Sequence, residues 1–207
     1  MILYVGTKQK SSWSLRPFMA LVHAGIPCET RTIALDAPDS KAEIAKVSPT
    51  GRVPVLHAGD LVIPDSLAIC EYAAELAPAL WPADRAVRAR ARAIACEMHA
   101  GFPAIREHMS MDILAERPGV GHTAAALADA DRIKQIWSEA LAASGGPFLF
   151  GAFTIADAMF APVTTRFTTY GVPMARDHAA YVAAVQAHPA FVRWKAEAAA
   201  ERGASGA

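Results

Sequence analysis

Cysteine is scarce in this sequence, and its scarcity excludes a disulfide-stabilised scaffold. The three cysteines, Cys28, Cys70 and Cys96, are widely spaced and form no C-x-x-C pair. An odd number at such spacing is typical of a reducing compartment, where each cysteine usually serves as a small buried hydrophobe. His and Cys also lack metal-ligand spacing, so no metal site is predicted.

The sequence also lacks an excess of positive or of negative charge. Lys plus Arg and Asp plus Glu number 20 each. This balance gives no electrostatic reason to expect nucleic acid or an anionic membrane surface as a partner. No apolar run is long enough to cross a bilayer, and the first residues lack a signal-peptide pattern. We therefore expect a cytoplasmic protein that has no membrane partner.

Apolar residues are plentiful and make up 53% of the 207 residues, enough for a substantial core. Their patterns and the turn signals between them predict the order β-α-β-α-β-β-α over residues 1–77. Two prolines within residues 77–83 predict a linker, and strand signals almost vanish after it. The chain is thus predicted to hold an α/β domain over 1–77 and an all-helical domain over 84–207.

Helix signals in the second half lead to three further expectations. An alanine-rich helix begins after Asp84 and, although Gly101 and Pro103 interrupt it, is expected to reach residues 118–121. Thr154 and Asp157 have capping-box spacing, so Asp157 is expected to be structural at the start of a central buried helix. The last seven residues, ERGASGA, are expected to fray.

The segment SSWSLRP, residues 11–17, lies between a predicted strand and a predicted helix. Ser11 and Ser12 contribute two hydroxyls where the helix begins, and Pro17 is expected in its first turn. A helix N-terminus carries partial positive charge and unpaired N–H donors. This segment is therefore predicted to hold an anion or to stabilise a thiolate.

Four segments together resemble the cytosolic glutathione transferase family. They are SSWSLRP, RVPVL at 52–56, PDSLAI at 64–69 and FTIAD at 153–157, in the family's order and at about its spacing. The resemblance covers nearly the whole chain and implies a thioredoxin-like glutathione domain followed by a helical substrate domain. The first segment is most similar to the serine motif of the zeta class, although Trp13 stands where that motif typically has cysteine.

The resemblance implies that Ser11, with Ser12 as the alternative, meets the glutathione thiol. A thiol of pKa about 8.5 is a few per cent ionised at neutral pH, and lowering the pKa by about two units requires about 2.7 kcal/mol. A hydrogen bond to a charged acceptor contributes about 1.5–3 kcal/mol, and a helix end adds some tenths to one. A general base is therefore not required.

The resemblance also implies five residues that bind glutathione, namely Arg52, Val53, Pro54, Asp65 and Ser66. Pro54 would follow a cis peptide bond and turn the Val53 backbone toward the cysteinyl unit of the ligand. Asp65 and Ser66 would hold the γ-glutamyl end at a helix start. Without the resemblance, these last two residues would be interpreted only as a helix cap.

A substrate pocket is expected beside the thiol, lined by Trp13, Phe102, Arg106 and Met109. Arg106 is the residue there that could hold an anionic substrate, whereas Met and aromatic side chains also suit a core. Arg16, on the first helix, is expected to tie the two domains together through ion pairs, with a catalytic role as the alternative.

The resemblance implies that the protein is a glutathione S-transferase. It would add the glutathione thiolate to a small electrophile, or use it transiently in a zeta-type isomerisation. Glutathione is the cosubstrate, no metal is implied, and a homodimer is expected. The alternative is a non-catalytic glutathione-binding or protein-interaction module of the same fold.

Overall fold

The computed structural model describes residues 1–205, and its first part is built on a mixed four-stranded sheet. The strands are β1 (Ile2–Gly6), β2 (Glu29–Ile33), β3 (Val55–Ala58) and β4 (Leu61–Pro64). Their order in the sheet is β2-β1-β3-β4, with β1 and β2 parallel and the other pairs antiparallel. The helices of this part are α1 (Ser12–His23), α2 (Ser40–Val47) and α3 (Ser66–Leu76). The predicted order and the thioredoxin-like architecture are confirmed.

Helix α1 begins earlier than the sequence pattern indicates. Ser11 is the N-cap and Ser12 the first helical residue, so Pro17 lies inside the helix and not in its first turn, as expected above. The turn that ends the preceding loop causes this, because the amides of Lys10 and Ser11 both donate to the Thr7 carbonyl. Both serines therefore stand at the very start of the helix.

The second part is helical and is organised around one buried helix. Its helices are α4 (Arg85–Ala100), α5 (Pro103–His108), α6 (Ala124–Ser144), α7 (Ile155–Tyr170), α8 (Arg176–Ala187) and α9 (Pro189–Ser205). All residues of α7 except Thr168 are buried. Helix α7 packs against α4 and α8 and also against α1, so a single hydrophobic core joins the two parts.

The expectation of one helix from residue 84 to residues 118–121 is wrong. Helix α4 ends at Ala100, because Gly101 departs from helical geometry and Phe102 adopts a left-handed conformation with φ of 62°. Gly101 is needed at this point, since a Cβ there would lie 2.8 Å from the Glu97 carbonyl oxygen. Pro103 then starts the separate short helix α5, which suits a residue without an N–H.

The expectation that the last seven residues fray is also wrong for residues 201–205, which are helical. Helix α9 continues to Ser205, and residues 206–207 lie outside the described part. The Glu201 carboxylate accepts hydrogen bonds from the backbone N and the Nζ of Lys8, at 2.9 and 2.6 Å. This long-range contact holds the end of the chain against the loop that precedes α1. Among residues 1–205, no helix has both the length and the apolar character needed to cross a membrane.

Candidate active site

A cavity of about 390 Å³ lies where the start of α1, the segment before β3 and the start of α3 meet. Its lining residues are Trp13, Thr50, Arg52, Val53, Pro54, Pro64, Asp65 and Ser66. The structure thus brings together all five residues that the resemblance implies for glutathione binding, whereas Ser11 and Ser12 are not among the lining residues. Thr50 was not predicted, and its only sequence signal is its place in the Ser-Pro-Thr-Gly turn.

The Val53–Pro54 peptide bond is cis, which confirms that expectation. Strand β3 begins at Val55, whose partner in β1 is Tyr4. The peptide groups of Val53 therefore lie just outside the β-ladder, at the wall of the cavity. A backbone in this position is suited to pair with an extended peptide ligand.

Asp65 and Ser66 lie at the start of α3 and differ in their hydrogen bonding. Asp65 is the N-cap, with an unusual φ of 78°, and its Oδ1 accepts hydrogen bonds from the amides of Leu67 and Ala68 at 2.8 and 3.4 Å. Ser66 is 1% exposed, and its buried Oγ has no hydrogen-bond partner among the described residues. A buried hydroxyl without a partner is unfavourable, so this site fits a ligand that supplies an acceptor.

The two early serines differ in their hydrogen bonding. The Ser11 hydroxyl donates to Ser14 Oγ at 2.7 Å, and Ser14 Oγ also accepts from the Gly6 amide at 3.2 Å. Ser11 makes no capping hydrogen bond to α1. Ser12 is 7% exposed and forms no side-chain hydrogen bond within residues 1–205. Ser14 was missed from the sequence, although its spacing of three from Ser11 places both on one helix face.

Two arginines flank Trp13, the residue that follows the serines. The guanidinium carbons of Arg16 and Arg106 lie 4.3 and 4.8 Å from the centroid of its ring. Arg106 is fixed by donating to the Gly101 carbonyl at 3.0 Å and to the Met98 carbonyl. Two of the four predicted pocket residues, Trp13 and Arg106, are therefore in contact.

The other two predicted pocket residues lie in the hydrophobic core. Phe102 is 6% exposed and Met109 is fully buried, and neither lines the cavity. The predicted role of Arg16 in ion pairs is wrong, because no carboxylate of residues 1–205 forms an ion pair with it. Arg16 has no exposed surface, and its Nε and Nη1 have no hydrogen-bond partner in the described part.

His99, on α4, is a further residue near the cavity that was not predicted. Its Nε2 lies 3.3 Å from the Asp65 Oδ2, and its ring meets Trp13 edge to face at 5.3 Å between centroids. Burial lowers the pKa of His99, while the Asp65 charge opposes that shift. The sequence holds no local signal for this contact, which depends on the docking of α4 beside α3.

Burial also lowers the pKa of both Arg16 and Arg106, and Arg106 lowers that of Arg16 further by repulsion between like charges. Two guanidinium groups therefore lie against Trp13, which is a lining residue of the cavity. Within residues 1–205, no three His, Cys, Asp or Glu side chains are grouped in a way that could hold a metal ion.

Comparison with known proteins identifies the two domains of the chain. Residues 10–76 match the glutathione S-transferase N-terminal domain, and residues 97–194 match the C-terminal domain. A probable maleylacetoacetate isomerase of Caenorhabditis elegans is 30% identical over 115 residues, or 55% of this chain and 53% of that protein. The chain thus matches about half the length of this relative.

Solved structures match over almost the whole chain. A glutathione transferase homologue from Burkholderia gl BGR1 with bound glutathione is 27% identical, with a TM-score of 0.74, covering 95% of this chain and 97% of that one. The holo structure of maleyl pyruvate isomerase, a bacterial glutathione S-transferase in the zeta class, is 26% identical with a TM-score of 0.71 and covers 94% and 96%. Since the two matched domains together span most of its length, the chain belongs to the glutathione S-transferase family.

Proposed function

We propose that this protein binds glutathione and presents its thiolate to a small electrophile. The observation that supports this most directly is the cavity lined by Val53, by Trp13 of α1 and by Ser66, whose buried hydroxyl has no partner among the described residues. In the proposed complex, Ser66 binds the γ-glutamyl carboxylate, and Asp65 is close enough to attract the ammonium group. The Val53 peptide groups pair with the cysteinyl unit, and Arg52 meets the glycyl carboxylate.

Thiol activation is assigned to the Ser11 hydroxyl, with Ser12 as the alternative. When Ser11 donates to the sulfur, Ser14 can donate to the Ser11 oxygen in return, since the two oxygens are already 2.7 Å apart. A hydroxyl that accepts one hydrogen bond is a better donor in the next, so this pair would favour the thiolate. The thiol proton leaves to solvent, and a general base is not needed.

The electrophile would approach from the side of Trp13 and Arg106. The names of two relatives suggest maleyl-type cis-alkenes as one class of substrate. With such a substrate the thiolate adds to one carbon of the double bond, the resulting single bond rotates, and elimination returns the thiolate and the trans-alkene. With an aryl halide the thiolate instead displaces halide and remains bonded to carbon. Assays with both substrate types distinguish isomerisation from conjugation.

The test of thiol activation is a titration of thiolate absorbance in the glutathione complex. We expect Ser11→Ala to raise the pKa of the bound thiol by about 1–2 units, because a hydrogen bond to the charged sulfur is lost. Ser12→Ala is the matched control and should leave the pKa within about half a unit. If only Ser12→Ala raises the pKa, the assignment moves to Ser12, and an unchanged pKa in both variants rejects serine activation.

Glutathione binding without any turnover would favour the non-catalytic binding module. Calorimetry with S-methylglutathione establishes binding independently of thiol chemistry, and no heat would reject the proposed site. The homodimer and the cytoplasmic location stay predictions, and light scattering of the purified protein tests the first of them.

A further inference from the structure

Arg16 combines complete burial with the lack of an anionic partner. It is 0% exposed, and neither Nε nor Nη1 has a hydrogen-bond partner within residues 1–205. Removing a guanidinium from water is unfavourable unless charge and hydrogen bonds compensate it. The stacking on Trp13 supplies only part of this compensation. Such a residue points to an anion that is present when the protein functions.

The charged groups that face Arg16 come from four other helices, and cations prevail among them. Arg106 of α5 and Arg166 of α7 repel it, while Asp65 at the start of α3 and the Cys70 thiol of α3 would attract it if ionised. The charge of Arg16 also lowers the pKa of His99 on α4. Burial raises the pKa of Cys70, so that thiol is neutral. Three guanidinium groups are thus opposed by two carboxylates, because the charge of Asp129 also acts on Arg106.

The carboxylate that acts on Arg16 is that of Asp65, which is already engaged and partly in solvent. The Asp65 side chain is 49% exposed, caps α3 and contacts His99. Arg166, which is 4% exposed, is held by the main-chain carbonyls of Met109 and Ile105 at 2.5 and 3.3 Å, and these are neutral acceptors. The positive charge is therefore only weakly compensated by the protein itself.

Helix geometry directs this charge toward the proposed thiol site. Long side chains on a helix lean toward its N-terminus and over the residues three and four positions earlier. For Arg16 these are Trp13, which the guanidinium contacts at 4.3 Å, and Ser12. The buried cation accordingly lies against Trp13, which lines the cavity and directly follows Ser12 at the start of α1.

We propose that Arg16 is a positioning residue whose buried, unpaired charge favours ionisation of the glutathione thiol, with Arg106 and Arg166 adding to the same field. This inference rests on the proposed glutathione site and names a second source of thiol activation there. The thiol proton is released to solvent, and the thiolate becomes the anion that the arginines lack. Because the field acts through space, Arg16 need not contact the sulfur.

The test compares Arg16→Met, which removes the charge but keeps much of the side-chain volume, with Arg16→Lys, which retains the charge. Thiolate absorbance is titrated in each glutathione complex, and the affinity for S-methylglutathione is measured in parallel because that ligand has no titrating thiol. We expect Arg16→Met to raise the bound thiol pKa by about one unit, a tenfold fall in the thiolate-to-thiol ratio. The lysine variant should stay within about half a unit of the wild type.

The control is Arg132→Met, which removes a surface arginine paired with Glu97 on α4 and should leave the thiol pKa unchanged. If Arg16→Met binds S-methylglutathione within about threefold of wild type and shows no pKa rise, the proposal is overturned and Arg16 is only structural. If that variant does not fold, Arg106→Met decides, since it removes a partly exposed charge of the same group. An unchanged thiol pKa there also overturns the proposal.

These outcomes are separable from failure of the proposed function. If the wild type gives no heat with S-methylglutathione, the glutathione site itself is rejected. If Ser11→Ala raises the thiol pKa and neither arginine variant does, only the role of Arg16 is rejected.

Discussion

Ser66 shows how one buried hydroxyl can report on a ligand. Ser66 lines the cavity, and its buried Oγ has no partner within the described residues, although the neighbouring Asp65 caps two amides of the same helix. The hydroxyl therefore contributes little to folding. Its hydrogen-bonding capacity is available to a ligand carboxylate, which would form a charge-assisted bond.

We predict that Ser66→Ala raises the dissociation constant for S-methylglutathione about tenfold or more. A hydrogen bond to a charged group contributes about 1.5–3 kcal/mol, and each 1.4 kcal/mol corresponds to a factor of ten. Calorimetric titration measures the change. The melting temperature should stay the same or rise slightly, because an unsatisfied buried hydroxyl has been removed.

Ser40→Ala provides the control for this substitution, since Ser40 lies at the start of α2 and outside the cavity lining. Its affinity for S-methylglutathione should equal that of the wild type. Equal affinities for Ser66→Ala and the wild type would mean that the γ-glutamyl carboxylate binds elsewhere.

At the scale of an element, the start of α7 depends on one carboxylate. Asp157 is fully buried and accepts from the Thr154 amide at 2.8 Å, the Thr154 hydroxyl at 3.0 Å and the Leu149 amide at 3.0 Å. The expected capping box is thus confirmed. The bond from Leu149 extends it, because the carboxylate also anchors the loop before the central helix.

We predict that Asp157→Ala lowers the free energy of unfolding by about 3 kcal/mol, because two buried amides lose their acceptor. Urea denaturation measures this loss. Asp131→Ala is the control, as its side chain is 72% exposed in an ion pair with Lys134 and should contribute less than about 1 kcal/mol. Similar losses in the two variants would contradict a special role for the capping box.

Helix α9 supports the loop before the proposed thiol site. Lys8 is 6% exposed and contacts α9 through three of its groups. Its backbone N and Nζ donate to Glu201, and its carbonyl accepts from Trp194 Nε1 at 2.9 Å. The end of the chain therefore helps to fix the segment that leads to Ser11.

We predict that Glu201→Ala lowers the free energy of unfolding by about 1–3 kcal/mol and speeds amide hydrogen exchange in residues 7–12. The reason is that the buried Lys8 ammonium loses a carboxylate partner at 2.6 Å. Glu201→Gln should lose less, since the amide oxygen can still accept. Arg202→Ala, on an exposed neighbour, is the control, and equal exchange rates in all variants would contradict this support role.

At the scale of the whole molecule, a histidine pair connects the end of α1 to the junction of α8 and α9. His23 ends α1, His188 lies between α8 and α9, and their Nδ1 and Nε2 atoms are 2.9 Å apart. His188 Nδ1 accepts from the Ala190 amide, so its Nε2 carries the proton and donates to His23. Burial, and then the proximity of His23, lowers the pKa of His188 to about 4, and burial also lowers that of His23.

The lowered pKa of His188 fixes the direction in which stability changes with pH. Between the ordinary value of 6.5 and the folded value of about 4, the unfolded chain binds more protons at His188, so acidification destabilises the fold. Asp157 acts oppositely, because burial raises its pKa from 3.8 to about 6 and the folded state then binds more protons in that window. The effect of Asp157 offsets only part of the acid sensitivity in the wild type, because the lowered pKa of His23 acts in the same direction as that of His188.

We therefore predict that His188→Asn reduces the loss of stability between pH 7 and pH 4.5 relative to the wild type. Asn preserves the side-chain acceptor before α9 but does not titrate. Urea denaturation at both pH values measures the difference. His108→Asn, at an exposed histidine, is the control. The same acid sensitivity in His188→Asn and the wild type would contradict the prediction.

Local signals predicted much of this protein from sequence. The order of strands and helices and the capping box at Thr154 depend on residues close together in the chain, whereas the cis peptide before Pro54 was implied by the family resemblance. The five residues predicted for glutathione binding fall within two short segments, and the structure places all five at one cavity. The pattern failed at Gly101, where the left-handed turn at Phe102 ended a helix that periodicity alone would continue.

By itself, the sequence determined which faces are apolar, where helices are capped and which family the motifs resemble, because hydrophobic period and capping chemistry are local properties. Only the tertiary structure decided that Arg16 lies unpaired beside Arg106, that Ser66 lacks a partner and that Glu201 reaches Lys8. Those facts depend on which elements meet, and periodicity shows that a face is buried without showing what covers it.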